Sequence, residues 1–128
     1  MRWSVLKRKI TKELIKWMNK KTNRMPLLLS GARQVGKTHI LREFGEHYYK
    51  NVAYVNLETN QTVSSYFSEN IEPERIIRFL ETSTNERIFP QDTLIILDEI
   101  QSCERALTSL KYFNEITPEY HIACAGSL

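Results

Sequence analysis

The densest chemistry in this 128-residue chain lies in one run, Gly31-Ala32-Arg33-Gln34-Val35-Gly36-Lys37-Thr38. Its two glycines bracket four residues and are followed by a lysine and a hydroxyl, the G-x-x-x-x-G-K-[ST] pattern of a phosphate-cradling loop. Gly31 and Gly36 free the backbone to curl, so that successive N–H groups face phosphate oxygens. Lys37 then reaches the β- and γ-phosphates, and the Thr38 hydroxyl holds Mg²⁺. The N–H of His39 serves the α-phosphate, with its imidazole turned to solvent. The stretch from Gly31 to His39 is therefore expected to bind ATP or ADP.

A second constellation follows sixty-one residues after Lys37. Thr93-Leu94-Ile95-Ile96-Leu97 is an apolar run that delivers two acids, Asp98 and Glu99, at its end. A metal-bound triphosphate needs one acid to orient the cation and another group beside the γ-phosphate to polarise water. Asp98 suits the first task, through a water, and Glu99 the second. The pair argues for hydrolysis over binding alone. Glu58, at the end of another apolar run, either faces the same edge or caps it. Gln101 either contacts the γ-phosphate side or is simply an early helix residue.

These groups need strands that end together and a helix that begins there. Pro26–Ser30 reads as a strand entering the glycine loop, and Lys37–Phe44 as the helix leaving it, its positive dipole end aimed at the anion. Gly45–Lys50 makes the passage to a second strand, Asn51–Glu58. A short helix is expected around Val63–Phe67, then one opened by Pro73, whose missing N–H costs nothing in a first turn. Ile76, Ile77, Phe79 and Leu80 form its buried side. Thr82–Asp92 reads as a loop. Ser102 is expected to cap a helix over Glu104–Glu115, and Tyr120–Ala125 to form a last buried strand. Continuous apolar strands alternating with helices predict a parallel α/β sheet.

Charge is unevenly spread. Residues 1–24 hold nine of the eighteen Lys/Arg and one of the fifteen acids, Glu13. Trp3, Leu6, Ile10, Leu14 and Trp17 recur at helical spacing, predicting an amphipathic helix with a basic back. Its stripe can dock on the core, its cations can meet nucleic acid or an acidic partner, or it can lie on a membrane surface. Residues 1–24 are thus set apart from a core of 25–128. No apolar run is long enough to span a bilayer, and no cleavable leader is evident, which reads as cytoplasmic. Cys103, Cys124 and the three histidines show no metal-ligand spacing. Cys124 reads as a small core residue. His47 reads as a surface residue and His121 as a strand-edge residue. Tyr48, Tyr49, Tyr54 and Tyr66 are too scattered to form a base-stacking platform.

Taken together, GARQVGKT, YVNLE, LIILDEIQ and a terminal strand running into AGS resemble the AAA-like P-loop ATPases of archaea and bacteria that carry a downstream DUF4143 region, the AAA_14 type. The likeness runs from about Trp3 to Leu128, of which the loop and D-E-I-Q are the most specific parts. It implies a P-loop NTPase three-layer sandwich of the additional-strand, catalytic-glutamate type, with sheet order 5-1-4-3-2 and a separate C-terminal domain. It also implies that Ser127 senses the γ-phosphate from the strand beside the glycine-loop strand.

Three departures qualify that resemblance. His39 stands where relatives often have a second hydroxyl. Ile122-Ala123-Cys124-Ala125 is less β-branched than usual. The chain also stops three residues past its last strand, so a fifth strand, lid helices and the downstream domain are expected to be missing. That would leave the first strand as an edge that invites self-association. Arg33 lies within the loop and Arg105 on a later helix, and neither is placed as an arginine finger, so slow turnover is expected. The expected function is Mg²⁺-dependent ATP hydrolysis that moves a C-terminal domain or partner. The alternative is a nucleotide-dependent switch with incidental turnover. A small-molecule kinase fits less well, because an acid directly after Asp98 suits activation of water.

Overall fold

The fold is known from a computed structural model, which describes residues 2–31 and 36–127. Four strands, β1 (Leu27–Ser30), β2 (Asn51–Asn56), β3 (Thr93–Asp98) and β4 (His121–Gly126), form one sheet in the order β1-β4-β3-β2, every pair parallel. Around them lie α1 (Arg2–Met18), α2 (Lys37–Tyr48), α3 (Gln61–Glu69), α4 (Pro73–Thr84) and α5 (Glu104–Ile116), with a 3-10 turn over Ile100–Ser102. The order agrees with 5-1-4-3-2 for the strands present, and the last strand in sequence is inserted between β1 and β3.

The apolar runs explain which strands are central. Every residue of β3 and β4 is buried, whereas β1 and β2 are half-buried edges. A strand covered on both faces loses any need for polar alternation. Side chains still alternate between the two sides. Leu94, Ile96, Ala123 and Ala125 meet α1 and α2, while Ile95, Leu97, Ile122 and Cys124 meet α3, α4 and α5. The result is helix, sheet, helix.

On the first side α2 lies unusually close to the sheet. A Cβ on Gly45 would come within 2.5 Å of Val52 Cγ2 and 3.0 Å of Leu94 Cδ2. The sequence suggested a turn at Gly45, yet α2 runs through it to Tyr48. A helical glycine costs about 1 kcal/mol against alanine, and here the missing side chain is what lets the backbones approach. Other boundaries shift for local reasons. Ser102 does not cap α5: the chain first closes a 3-10 turn, with Ser102 N–H donating to Glu99 O at 3.0 Å, so Cys103 becomes the cap residue and makes no side-chain cap bond. α4 continues three residues into the expected loop and stops at Asn85, whose left-handed conformation ends a helix cheaply. Both cysteines are free and buried, and burial pushes the Cys124 thiol up to about 12.

α1 docks on the core through Ile10, Leu14 and Trp17 of the expected stripe, and the Trp3 side chain lies outside those the structure describes. Leu14 is buried, with Ile10, Ile15, Trp17 and Met18 packed around it. Trp17 Nε1 donates to Met25 O at 2.7 Å, and Lys7 pairs with Glu43 of α2. The Arg24 guanidinium then donates to Lys20 O at 2.9 Å and Pro118 O at 2.8 Å, tying the α1–β1 connection to the base of β4. His121 is not a strand-edge residue. It is 4% exposed, lies edge-on to Trp17 and Tyr49, and shares a 2.6 Å hydrogen bond with the Tyr49 hydroxyl. Burial pushes its pKa down to about 4. Among the described residues no helix is long and apolar enough to cross a membrane.

Candidate functional site

The carboxyl ends of β1, β4 and β3 meet beside the first turn of α2, as parallel-sheet topology favours for a ligand crevice. A cleft of about 90 Å³ there is lined by Gly36, Lys37, Thr38, Asp98, Glu99, Gly126 and Ser127. Gly31 and Gly36 both hold positive φ, at 140° and 69°. Gly36 caps α2 from the left-handed region, a conformation glycine adopts at no steric cost. Ala32, Arg33, Gln34 and Val35, expected to complete the loop, lie outside the described residues.

Lys37 is 6% exposed although it carries an ammonium. Its Nζ donates to Gly31 O, and to Gly126 O at 3.1 Å, and so bridges the ends of β1 and β4. A buried cation held on backbone carbonyls at a helix N-terminus draws an anion into the same space. His39 projects into solvent beside Glu43, as expected of its imidazole.

Asp98 accepts hydrogen bonds from three separate donors. Along β3 it follows Leu94 and Ile96 onto the α2 side, and there Thr38 Oγ1 donates to its Oδ2 at 2.9 Å. The Glu99 N–H donates to its Oδ1 at 2.9 Å. A third donor was not foreseen from the sequence. The Tyr54 hydroxyl donates to Asp98 Oδ2 at 2.6 Å, with the Arg42 guanidinium 4.3 Å above its ring. Burial, then the bond to Asp98, raises the Tyr54 pKa to about 12, so the phenol remains a donor at ordinary pH. The signal for Tyr54 is one of register. Asn56 stands opposite Asp98, and Tyr54, two residues earlier, points to the same face and reaches it diagonally.

Glu99 sits just past the strand in a left-handed conformation, φ 52° and ψ 49°. Its Oε1 accepts from Gln101 Nε2 at 2.7 Å, and Gln101 Oε1 accepts from Ser127 N–H at 3.2 Å. Gln101 thus joins Glu99 to the tip of β4, a third alternative to the two roles considered from the sequence. Ser127 lines the cleft. Glu58 is exposed in the turn after β2, where its N–H donates to Asn56 Oδ1 at 2.9 Å, and it does not line the cleft. Arg105 borders a shallow groove with Ser64 and Ser68 on the α3–α5 side.

A wider cavity, about 640 Å³, opens at the opposite end of β4 between Lys20, Lys21, Arg24, Glu119 and His121. It has neither a glycine turn nor a helix N-terminus carrying a lysine, and the chemistry described above lies in the smaller cleft.

No curated protein matches the chain significantly. Among solved structures, PCH-2 of C. elegans has a similar fold, with a TM-score of 0.58 at 16% identity. The match covers 96% of this chain and 37% of that one, so this chain spans little more than a third of its structural neighbour. A family model for the AAA domain matches residues 23–128. That stretch holds every group of the cleft, and the chain belongs to the AAA domain family, which points to nucleotide binding.

Proposed function

We propose that this chain binds ATP as its Mg²⁺ complex and hydrolyses it in the cytoplasm, coupling nucleotide state to a C-terminal domain or a partner protein. The observation that carries the reading is the convergence of Lys37 and Thr38 from the start of α2 with Asp98 and Glu99 from the end of β3 on one cleft. Gly31 to His39, with Ala32, Arg33, Gln34 and Val35 supplying inward N–H groups, would wrap the phosphates. Lys37 would exchange its carbonyl partners for β- and γ-phosphate oxygens.

The donor set fits magnesium. Thr38 Oγ1 and Asp98 Oδ2 are hard oxygen donors 2.9 Å apart at the mouth of α2. Among the described residues no group of three or more His, Cys, Asp or Glu could cage a metal alone. That suits an ion which takes most of its ligands from phosphate and water. When bound, the ion supplies positive charge that neutralises the β- and γ-oxygens. Glu99 would accept a hydrogen bond from the attacking water, and Ser127 would stand near the γ-phosphate.

Phosphate release by the wild type, Glu99→Gln and Lys37→Ala chains tests this reading. Glu99→Gln should retain ATP and lose turnover, while Lys37→Ala should lose both. A Glu99→Gln chain as active as wild type would favour the switch reading instead, in which occupancy alone sets conformation.

A further partner is a nucleic acid. Docking turns the apolar side of α1 inward and leaves Arg8, Lys9, Lys12 and Lys16 exposed. With Ile10, Leu14, Ile15, Trp17 and Met18 engaged on the core, the basic outward face suits a polyanion.

A further inference from the structure

Glu99 is followed at once by the 3-10 turn over Ile100–Ser102, and that turn is what brings Gln101 back over it. Gln101 is half-buried, and its amide has two chemically distinct ends, each used according to its chemistry. The NH₂ end donates to the Glu99 carboxylate at 2.7 Å, and the C=O end accepts from Ser127 N–H at 3.2 Å. Reversing the amide would set oxygen against carboxylate and N–H against N–H, so one orientation is specified. The fit beneath it is close. A Cβ on Gly126 would meet Gln101 Oε1 at 2.4 Å and Ile100 Cγ2 at 3.0 Å, so the strand end must be glycine for the amide to lie there.

Glu99 itself occupies a left-handed backbone region that is strained for a non-glycine residue, and such residues persist where surrounding bonds over-determine them. Ser102 N–H on Glu99 O at 3.0 Å and Gln101 on the side chain are two such bonds.

We propose that Gln101 is a positioning residue for Glu99, holding its carboxylate at the tip of β4 in the orientation that polarises water. The assignment rests on the hydrolytic reading of Glu99. Gln101 itself is not among the residues lining the cleft and acts through Glu99. Its amide removes one of the orientations a free glutamate would sample, and fixes Glu99 relative to Ser127, the residue that follows β4.

Two substitutions separate positioning from mere packing. Gln101→Met keeps the volume and loses both bonds. Gln101→Glu keeps the acceptor for Ser127 N–H but sets a second carboxylate against Glu99. Two carboxyl groups at that distance share a proton when one is protonated, and the shared proton restores a donor to Glu99. ADP binding by calorimetry would first certify each fold, with affinities within about threefold of wild type.

Steady-state phosphate release over about pH 5.5 to 8.5 then reads the role. Both variants should lose about tenfold or more in kcat near pH 8 with KM within about threefold. Gln101→Glu should regain rate relative to wild type as pH falls, and Gln101→Met should not. Wild-type rates in both variants, beside an inactive Glu99→Gln control, would overturn the assignment alone. Equal rates for wild type and Glu99→Gln would overturn the hydrolytic reading and this assignment with it. Should Gln101→Glu not fold, the uncharged Gln101→Met still decides through its kcat and KM.

Discussion

Thr38 Oγ1 lies 2.9 Å from Asp98 Oδ2, which joins the first turn of α2 to the last residue of β3 across sixty positions of chain. The bond exists because β4 is inserted between β1 and β3. The strand that launches the glycine loop and the strand that carries the acids are thereby held one strand apart, and α2 passes over the gap. A hydroxyl and a carboxylate set side by side beside a buried lysine are the elements from which the proposed chemistry follows.

Tyr54 is expected to hold Asp98 toward Thr38. Tyr54→Phe removes one of the two donors on Oδ2 and leaves the ring under Arg42. A hydrogen bond to a charged group contributes about 1.5–3 kcal/mol, part of which the remaining donors recover. The Mg²⁺-dependent part of ATP affinity should therefore weaken by about three- to tenfold, with Mg²⁺-free nucleotide binding little changed. Calorimetry with and without Mg²⁺ checks this. Because burial keeps the Tyr54 pKa near 12, the effect should not vary between pH 6 and 9.

His121 should make the fold acid-sensitive. Its folded pKa, about 4, lies below the ordinary histidine value of 6.5, with burial the larger cause and the Arg24 charge the smaller. The unfolded chain therefore binds a proton that the folded chain refuses. Stability is full above about pH 6.5 and is lost as pH falls toward 4, by about 2–3 kcal/mol from this group. Urea unfolding of wild type and His121→Gln should show a shallower pH dependence for the variant across that window. Parallel slopes would remove His121 from the account.

Gly45→Ala should destabilise the fold although alanine is the better helix former. The added methyl meets Val52 Cγ2 at 2.5 Å, and α2 cannot retreat without loosening its hold on β2 and β3. Overpacking of this kind costs typically about 1–3 kcal/mol, which outweighs the gain of about 1 kcal/mol in propensity. The midpoint of urea unfolding should fall.

The outward cations of α1 give a test by charge reversal. Deleting the helix would strip Leu14 and Trp17 from the core and confuse binding with unfolding. Arg8, Lys12 and Lys16 instead lie one turn apart, about 6 Å per step, and are exposed. Reversing all three should weaken duplex DNA binding and reduce the magnitude of its log–log salt slope by about three. An unchanged slope would leave these cations as a solvated face.

The parts of the fold that were legible in the sequence are those written in local pattern. β3 and β4 are continuous apolar runs because both faces are covered, and Gly31 to Thr38 has a spacing that few other functions require. The stripe on α1 named its own buried side at Ile10, Leu14 and Trp17. What stayed hidden depends on register and on distant segments. Tyr54 acquires a partner only when β2 is aligned with β3, and His121 is buried only because Trp17 and Tyr49 close over the start of β4. Gly45 looked like a helix stop because a missing side chain reads alike whether it ends a helix or admits a sheet. Gln101 was an ordinary polar residue until a 3-10 turn folded it back toward Glu99, and that same turn took the cap from Ser102.

The central claim is that the cleft at Lys37 binds nucleotide. Calorimetric titration of ATP and ADP in Mg²⁺, comparing the wild type with Lys37→Ala, tests it most directly. Micromolar affinity that falls by about a hundredfold or more in the variant, about 2.7 kcal/mol, is the predicted result. Equal affinities in the two chains, or no binding by either, would contradict it.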